Sequence, residues 1–323
     1  MRRKAEAMRP QILVTPRSLT SGTHPALAPL RAAGFEVVTS TPGQLPKEDE
    51  LLCLVPECVG WLAGVEPVSP AVIAAAQRLM VISRNGTGID NLPIEAVKAR
   101  GITIATAGAA NAPGVAELTL ALIFAGLRHV PCADQGIKNG AWPRRRGREL
   151  RDRNVGIIGC GAIGGEVARL VTALGAKVLA FDPKPRALDL PAERFRWVDL
   201  ETALTQADII TFHCPMLAGG KPILDATGFE RLRPDVLIVN TARAGLVDKD
   251  ALLDALARGK VDAYATDVFA EEPPSDLALA RHERVIATSH IGGFTDESVA
   301  RATSIAVENL LAVLAPKQAR HAG

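Results

Sequence analysis

This sequence is short of charge imbalance, of paired cysteines and of long apolar runs. Thirty-seven Lys and Arg stand against 35 Asp and Glu, a formal net charge of +2. That is too small to make nucleic acid or an anionic membrane the main partner. The five cysteines, at 53, 58, 132, 160 and 214, form no Cys-x-x-Cys pair. Their odd number argues against a disulfide framework, and a reducing, cytoplasmic setting is expected. No apolar run reaches the ~18 residues of a membrane-spanning helix. The basic start, "MRRKAEAMRP", is followed by no apolar stretch and reads as no signal peptide, with Met1 and Met8 as alternative starts. No internal repeat, low-complexity linker or metal-ligand spacing stands out.

What is present is ample core material in a regular alternation. At 323 residues, 48% apolar and 22% charged, the chain has the length of two ordinary domains. Short apolar runs alternate with helix-like stretches, which predicts an α/β protein with parallel sheets. In the first third, strands are expected near Ile12–Thr15, Phe35–Thr39, Leu51–Val55, Leu79–Ser83 and Ile102–Ala105. A helix should start at Ser69-Pro70, a cap followed by proline at the first helical position. Another covers Ile94–Ala99 and stops at Gly101. A long helical pattern over Pro113–Arg128 leads into a basic loop, Arg144–Arg153. With so little net charge, that loop reads as a solvated or subunit-facing segment in preference to a nucleic-acid patch. A second α/β series follows, with strands at Asn154–Ile158, Lys177–Phe181, Ile209–His213, Val236–Asn240, Ala263–Ala265 and Val285–Thr288. A last helix is expected over Asp296–Leu314.

The sharpest motif is "VGIIGCGAIGG", Val155–Gly165, which contains Gly159-x-Gly161-x-x-Gly164. It ends a predicted strand, opens a helix (Ala162–Leu174), and a second strand ends in Asp182. That context gives each glycine a job: the tight turn, close approach to a pyrophosphate, and close packing of helix on strand. The helix N-terminus then offers N–H groups and a positive dipole end to phosphates. Asp182, 18 residues after Gly164, is placed to accept from the ribose hydroxyls, and its charge favours NAD over NADP, although Lys184 and Arg186 lie nearby. The fingerprint sits mid-chain, so a separate α/β domain precedes it, and the last helix can return to that first domain.

Three segments follow apolar runs that read as parallel strands: "VLIVNTARAG" with Arg243, "ATDVFAEEPP" with Glu271 and Glu272, and "ATSHIGGFTDES" with His290. Ligands of open parallel sheets bind outside the carboxyl ends of strands, so these groups can converge on one crevice beside the cofactor. A guanidinium holds a carboxylate in a fork. A histidine takes a proton from an alcohol or returns it to a carbonyl, and a carboxylate beside it favours its charged form. With a nicotinamide to carry hydride, the set describes interconversion of a 2-hydroxy acid and a 2-oxo acid. Each residue also has a plainer reading. Arg243 can pair with Asp248 or Asp267, His290 can be a satisfied core histidine, and both glutamates can be loop charges. His213 in "FHCP" ends a strand and reads as structural.

On these motifs the chain resembles the D-isomer-specific 2-hydroxyacid dehydrogenases, D-3-phosphoglycerate dehydrogenase-like branch, from about residue 75 to 300. The matching pieces are "RNGTGIDN" (Arg84–Asn91), "NAPGVAELTLALIFAGLR" (Asn111–Arg128), "GCGAIG" with Asp182, "NTARAGLVD", "DVFAEEPP" and "SHIGG". The resemblance implies two Rossmann- or flavodoxin-like domains with parallel sheets: residues 1–108 and 293–323 binding substrate, and 109–292, inserted between them, binding NAD. It implies Arg243 as the catalytic arginine, His290 as the acid/base, and Glu272, which directly precedes proline, as the acid. Cofactor contacts are implied at Gly159, Gly161, Ala162, Ile163, Gly164, Asp182, His213, Pro215, Thr241, Ala242, Asp267, Gly292 and Gly293, with Asp267 at the nicotinamide amide. Substrate contacts are implied at Asn85, Gly86, Thr87, Gly88 and Asn111, together with Arg243 and His290. Homodimerisation is implied through the segment matching Val115–Arg153.

Three departures bear on function. The arginine is followed by Ala-Gly where the family has two glycines. "HCPMLAGGK" lacks the family's threonines. Phosphoglycerate dehydrogenases resemble "VRS" after the third strand, where an arginine meets the substrate phosphate. The stretch compared here, "CLVPECVG" (Cys53–Gly60), has no arginine. The expected activity is therefore a D-2-hydroxyacid dehydrogenase, with specificity in Leu54–Gly60 and Arg84–Gly88. The alternatives are a short phosphoglycerate dehydrogenase and an NAD-sensing co-repressor-like binding protein. The chain ends at residue 323, so no appended regulatory domain and no serine feedback are expected.

Overall fold

The computed structural model describes residues 9–20, 24–216 and 219–318. Met1, Met8, His321 and residues 217–218 of the "HCPMLAGGK" stretch lie outside the described residues. The elements begin with β1 (Gln11–Val14), α1 (Ala28–Ala32), β2 (Glu36–Thr39), α2 (Glu48–Leu54) and β3 (Cys58–Ala63). They continue with α3 (Pro70–Ala75), β4 (Val81–Arg84), α4 (Ile94–Ala99) and β5 (Thr103–Thr106). Next come α5 (Ala112–Arg128), α6 (Val130–Lys138), β6 (Asn154–Ile158), α7 (Ala162–Ala173), β7 (Lys177–Phe181) and β8 (Phe195–Trp197). After these run α8 (Leu200–Thr205), β9 (Ile209–Phe212), α9 (Ala226–Arg231), β10 (Val236–Asn240), α10 (Lys249–Ala257), β11 (Val261–Thr266) and β12 (Val285–Ala287). The last is α11 (Asp296–Gln318). These elements form two compact units: one runs up to Asn111 and resumes at Asp296, and the other is Ala112–Thr295.

The first unit holds a five-stranded sheet in the order β2-β1-β3-β4-β5, every pair parallel. This is the flavodoxin-like order, with its switch point between β1 and β3. All six residues of β3 are buried, the continuous apolar run expected of a strand covered on both faces. One face packs on Val72, Ile73 and Val97 of α3 and α4. The other packs on α11, whose Ala306, Val307, Leu310 and Leu314 meet Ile12, Val14, Leu62 and Val81. Gly60 permits that approach, because a Cβ there would lie 2.9 Å from Leu314 Cδ1. Ser69 caps α3 by accepting from the Val72 N–H, with Pro70 in its first turn.

The second unit holds a seven-stranded parallel sheet, β12-β11-β10-β9-β6-β7-β8. From β6 the chain moves outward through β7 and β8, then returns to place β9 on the other side of β6. The switch point of this Rossmann order lies between β6 and β9. Helices α5 and α7 cover one face through Ile123, Leu127, Val167 and Val171. Gly126 lets α5 lie close on the sheet, since a Cβ there would sit 2.6 Å from Leu237 Cδ1. Among the described residues no single helix is long and apolar enough to cross a bilayer.

One expected strand is wrong. Leu51–Val55 belongs to α2 and its C-cap, not to a sheet. Three acids, Glu48, Asp49 and Glu50, fill its first turn, where the helix dipole favours negative charge. A short apolar run does not by itself distinguish helix from strand. The third strand is β3, and the loop that follows it is "GVEPV", Gly64–Val68. Leu54–Gly60, the stretch expected to carry specificity, instead enters β3 at its amino edge, opposite the end where parallel sheets bind ligands. The loop after β3 still holds no arginine. It holds Glu66. Strand β8 and helix α6 have no counterpart in the sequence reading; β8 is a three-residue edge strand whose Phe195 and Trp197 stack edge-on, 5.3 Å apart.

Candidate active site

The glycine fingerprint joins β6 to α7, and each glycine has a distinct geometric reason. Gly159 turns the chain at φ +88°, and a Cβ there would lie 2.7 Å from the Cys214 nitrogen. At Gly164 a Cβ would lie 2.0 Å from the Gly159 carbonyl oxygen, so helix and turn touch only because that side chain is absent. Around Gly161 a Cβ would meet nothing within 4 Å. The middle glycine is therefore not required by packing inside the protein. It leaves the backbone bare at the N-terminus of a 12-residue helix with Ala162 and Ile163 in its first turn, an arrangement that suits a phosphate group. These residues fit a dinucleotide.

Asp182, just past the end of β7, ties the fingerprint to that strand. Its Oδ2 accepts from the Cys160 N–H and its Oδ1 from the Lys184 N–H, both at 2.9 Å. Across the switch point, β9 delivers His213 and Cys214 next to Gly159, and Pro215 follows them. Burial pushes the His213 pKa down to about 3, so its ring is neutral. One ring nitrogen, Nε2, hydrogen-bonds the Thr211 hydroxyl at 2.9 Å, while Nδ1 is buried without a partner.

The adjacent strands β10, β11 and β12 carry the second set. Beyond β10, the buried Asn240 clamps the turn that presents Arg243. Its Oδ1 accepts from the Ala242 N–H at 3.0 Å and its amide donates to the Arg243 carbonyl at 2.9 Å. Thr241 in the same turn meets the Thr119 hydroxyl at 3.1 Å. Asp248, offered by the sequence as an ion-pair partner, caps α10 by accepting from the Ala251 N–H. Beyond β11, the two glutamates part company: Glu271 turns to the Ser275 hydroxyl, and Glu272 turns to His290.

Glu272 and His290, assigned to catalysis from the sequence, are brought together. His290 Nδ1 lies 2.6 Å from Glu272 Oε2, and Glu272 Oε1 accepts from the Phe269 N–H at 3.0 Å. The hydrogen bond to Glu272 raises the His290 pKa above its ordinary 6.5; burial opposes this, the charges of Glu272 and Asp267 add to it, and Arg243 subtracts. Burial pushes Glu272 up, but the His290 bond, the Phe269 N–H and the charges of His290 and Arg243 outweigh it, and the carboxylate falls below its usual range. Arg243 is thus close enough to be felt by both partners. His290 sits at φ +56°, in the left-handed region that non-glycine residues seldom adopt. Asp267 holds it there, with Oδ1 accepting from Thr288 Oγ1 (2.6 Å) and the Ile291 N–H (2.8 Å), and Oδ2 from the Gly292 N–H (2.8 Å). Gly292 makes room, since a Cβ there would stand 3.0 Å from that Oδ2; Gly293 follows in the same turn. Sequence reasoning assigned no role to Asn240, and gave Asp267 a cofactor contact but not this positioning one. A polar residue closing each apolar strand, a few places before Arg243 and Glu272, was the available signal.

In the first unit, the loop after β4 carries Asn85, Gly86, Thr87 and Gly88. The Asn85 N–H donates to Ala63 at the end of β3, and Asn85 Oδ1 is buried without a partner. Thr87 Oγ1 donates to the Gly108 carbonyl at 2.5 Å and reaches Asn111 Oδ1 at 3.3 Å, so Asn111 joins this loop.

The family model for the NAD-binding domain of D-isomer specific 2-hydroxyacid dehydrogenases matches residues 120–292. A hydroxypyruvate reductase of Thermotoga maritima is 37% identical over 270 residues, 82% of this chain and 87% of that protein. A D-3-phosphoglycerate dehydrogenase of Mycobacterium tuberculosis is 37% identical over 276 residues. That alignment covers 84% of this chain but 52% of the relative, so the chain spans about half its length. Among solved structures, the TT0316 protein of Thermus thermophilus superposes with a TM-score of 0.84 at 32% identity, over 95% of this chain and 97% of that one.

Proposed function

Because this chain belongs to the D-isomer specific 2-hydroxyacid dehydrogenases, a family of NAD-dependent oxidoreductases, we propose that Arg243, Glu272 and His290 interconvert a small D-2-hydroxy acid and its 2-oxo acid. The observation that carries this reading is the 2.6 Å bond from His290 Nδ1 to Glu272, with Arg243 felt by both groups. Gly159, Gly161, Ala162, Ile163, Gly164 and Asp182 would hold the nicotinamide cofactor, which when bound would supply the hydride chemistry. Arg243 holds the substrate carboxylate in a guanidinium fork and so orients C2. His290 uses Nε2 to give a proton to the carbonyl oxygen in reduction and takes it from the hydroxyl in oxidation. Glu272 fixes the ring through Nδ1 and favours its protonated form. Asp267, held under the His290 turn, sets its position. Its family role at the nicotinamide amide, with Thr241, Ala242, His213, Pro215, Gly292 and Gly293 as further cofactor contacts, completes the assignment.

Asn85–Gly88 and Asn111 bind the substrate from the first unit, which makes residues 1–108 and 293–323 the substrate domain and 109–292 the NAD domain. The protein works as a cytoplasmic homodimer through about residues 115–153. Exposed apolar side chains on that segment support this: Phe124, Val130, Ile137 and Trp142, the last 80% exposed. The similarity to the Thermotoga maritima protein supports hydroxypyruvate as a substrate. The similarity to D-3-phosphoglycerate dehydrogenases supports a second reading, a short member of that group. Arg243→Ala tests the site: the KM for the 2-oxo acid should rise by about 100-fold or more, as for loss of a charged hydrogen-bonding partner. NADH affinity should stay within a few-fold. An unchanged KM would assign Arg243 to structure.

A further inference from the structure

The loop that leaves β7 carries an acid and a cation that both touch the glycine fingerprint, and only the acid has a part in the cofactor contacts assigned above. Residues 182–186 read Asp-Pro-Lys-Pro-Arg. The prolines at 183 and 185 fix φ there, which stiffens the loop. It is tied at its start, where Asp182 accepts from the Cys160 and Lys184 N–H groups. It is tied again beyond its end, where Leu188 and Leu190 pack on the core that holds Val167 and Val171 of α7. Between these anchors the exposed Arg186 reaches back to α7, and its Nη2 donates to the Gly161 carbonyl at 2.7 Å. Gly165, the glycine that follows the fingerprint, makes room for it: a Cβ there would lie 2.7 Å from that Nη2.

The two charges bear on the same turn. Burial pushes the Cys160 thiol up to about 11, and within that shift Arg186 pulls down and Asp182 pushes up. Asp182 is the better satisfied of the two, since each of its oxygens already accepts a backbone N–H at 2.9 Å. Among the described residues Arg186 has one hydrogen bond and no ion pair, and the carbonyl it meets also accepts from the Gly165 N–H at 2.9 Å. A guanidinium has five N–H donors and a permanent charge, so one carbonyl answers one donor and none of the charge. Water meets the rest, and a phosphate replaces that water with a charged, bidentate contact.

We propose that Arg186 reads the 2′ position of the cofactor's adenosine ribose, so that the protein takes NADPH as well as NADH. This rests on the dehydrogenase reading, in which Asp182 holds that ribose. A 2′-phosphate is borne by the same ribose and brings about −1.5 to −2 charges near neutral pH. Asp182 alone would repel it. The guanidinium in the same stiff loop offsets that repulsion, and Asp182 still accepts from the ribose hydroxyls of NADH. The pyrophosphate is common to both cofactors and is assigned to the bare backbone at Gly161, Ala162 and Ile163, so Arg186 is left to the group that distinguishes them.

The test measures Kd for NADH and for NADPH by fluorescence titration of wild type and Arg186→Gln, with Tm for each. Glutamine keeps a donor for the Gly161 carbonyl and removes the charge. Wild type should bind NADPH within about tenfold of NADH. Arg186→Gln should weaken NADPH by about tenfold or more, as for loss of one charged contact, and leave NADH within about threefold. A wild type that binds NADH but holds NADPH outside that range overturns the inference while the dehydrogenase reading stands. So does an Arg186→Gln variant that weakens both cofactors equally, which would give the charge to the shared pyrophosphate, or one that weakens neither. A folded wild type that binds neither cofactor removes the dehydrogenase reading and the inference with it. If Arg186→Gln does not fold, competition against NADH in wild type decides: adenosine 2′,5′-bisphosphate should displace it better than adenosine 5′-monophosphate, and the reverse overturns the inference.

Discussion

In the proposed reaction, the hydrogen bond between His290 and Glu272 sets the pH dependence. The hydrogen bond to Glu272 raises the histidine above its ordinary 6.5. Reduction needs that proton, so kcat/KM for the 2-oxo acid should be flat at low pH and fall as pH rises through the raised value. Oxidation needs the neutral ring and should rise over the same interval. The pair stabilises the fold fully below the free-histidine value and loses that contribution as pH rises through the raised one. Glu272→Gln removes the largest cause of the shift. In pH–rate profiles of the variant, the alkaline limb for reduction should move down toward 6.5, and a limb that stays put would show that Glu272 does not tune His290. Arg243, Glu272 and His290 were legible because each lies in a short segment after a strand, and "EEPP" needed only the family's spacing to choose between its glutamates. Asn240 and Glu66 were not legible as partners. Glu66 finds Thr15 across 51 positions of chain, a relation set by the pairing of β1 with β3.

At the scale of elements, the strand–turn–helix of the fingerprint separates two kinds of glycine. Gly164 is required by packing, because its Cβ would stand 2.0 Å from a backbone oxygen. Gly164→Ala should destabilise the second unit by about 1–3 kcal/mol or more, the usual range for overpacking, visible as a lowered Tm. Gly161 is the glycine the proposed cofactor contact needs, since a Cβ there meets nothing within 4 Å of the protein itself. Gly161→Ala should keep the wild-type Tm and bind NADH about tenfold more weakly or worse in a fluorescence titration. Equal melting and equal affinity in both variants would remove the assigned roles. Most strands of both sheets were legible because strands buried on both faces read as continuous apolar runs. The misread was α2, whose short apolar run fits either period, and whose three leading acids were the overlooked signal. That slip put the specificity stretch at the wrong edge of the first sheet.

For the whole molecule, motif order in the chain predicted two α/β units with the fingerprint in the second, and the switch point of the second sheet lies where the fingerprint and His213 leave β6 and β9. The proposed assembly left a fainter trace in sequence, since the exposure of apolar residues of α6 and of Trp142 shows only in the structure. Trp142→Glu together with Ile137→Glu should convert the proposed homodimer to monomer in sedimentation velocity; a wild type already monomeric at working concentration would contradict the assembly proposed. The central claim is that this chain reduces a 2-oxo acid with NADH through His290. Its most direct test is NADH oxidation by wild type and His290→Asn against hydroxypyruvate, glyoxylate, pyruvate, branched 2-oxo acids and 3-phosphohydroxypyruvate, with NADH binding measured in parallel. The account predicts turnover of at least one unphosphorylated acid by wild type. It also predicts a loss of about 100-fold or more in His290→Asn with NADH still bound. A wild type that binds NADH and oxidises it with no member of the panel, or a His290→Asn variant as fast as wild type, would contradict it.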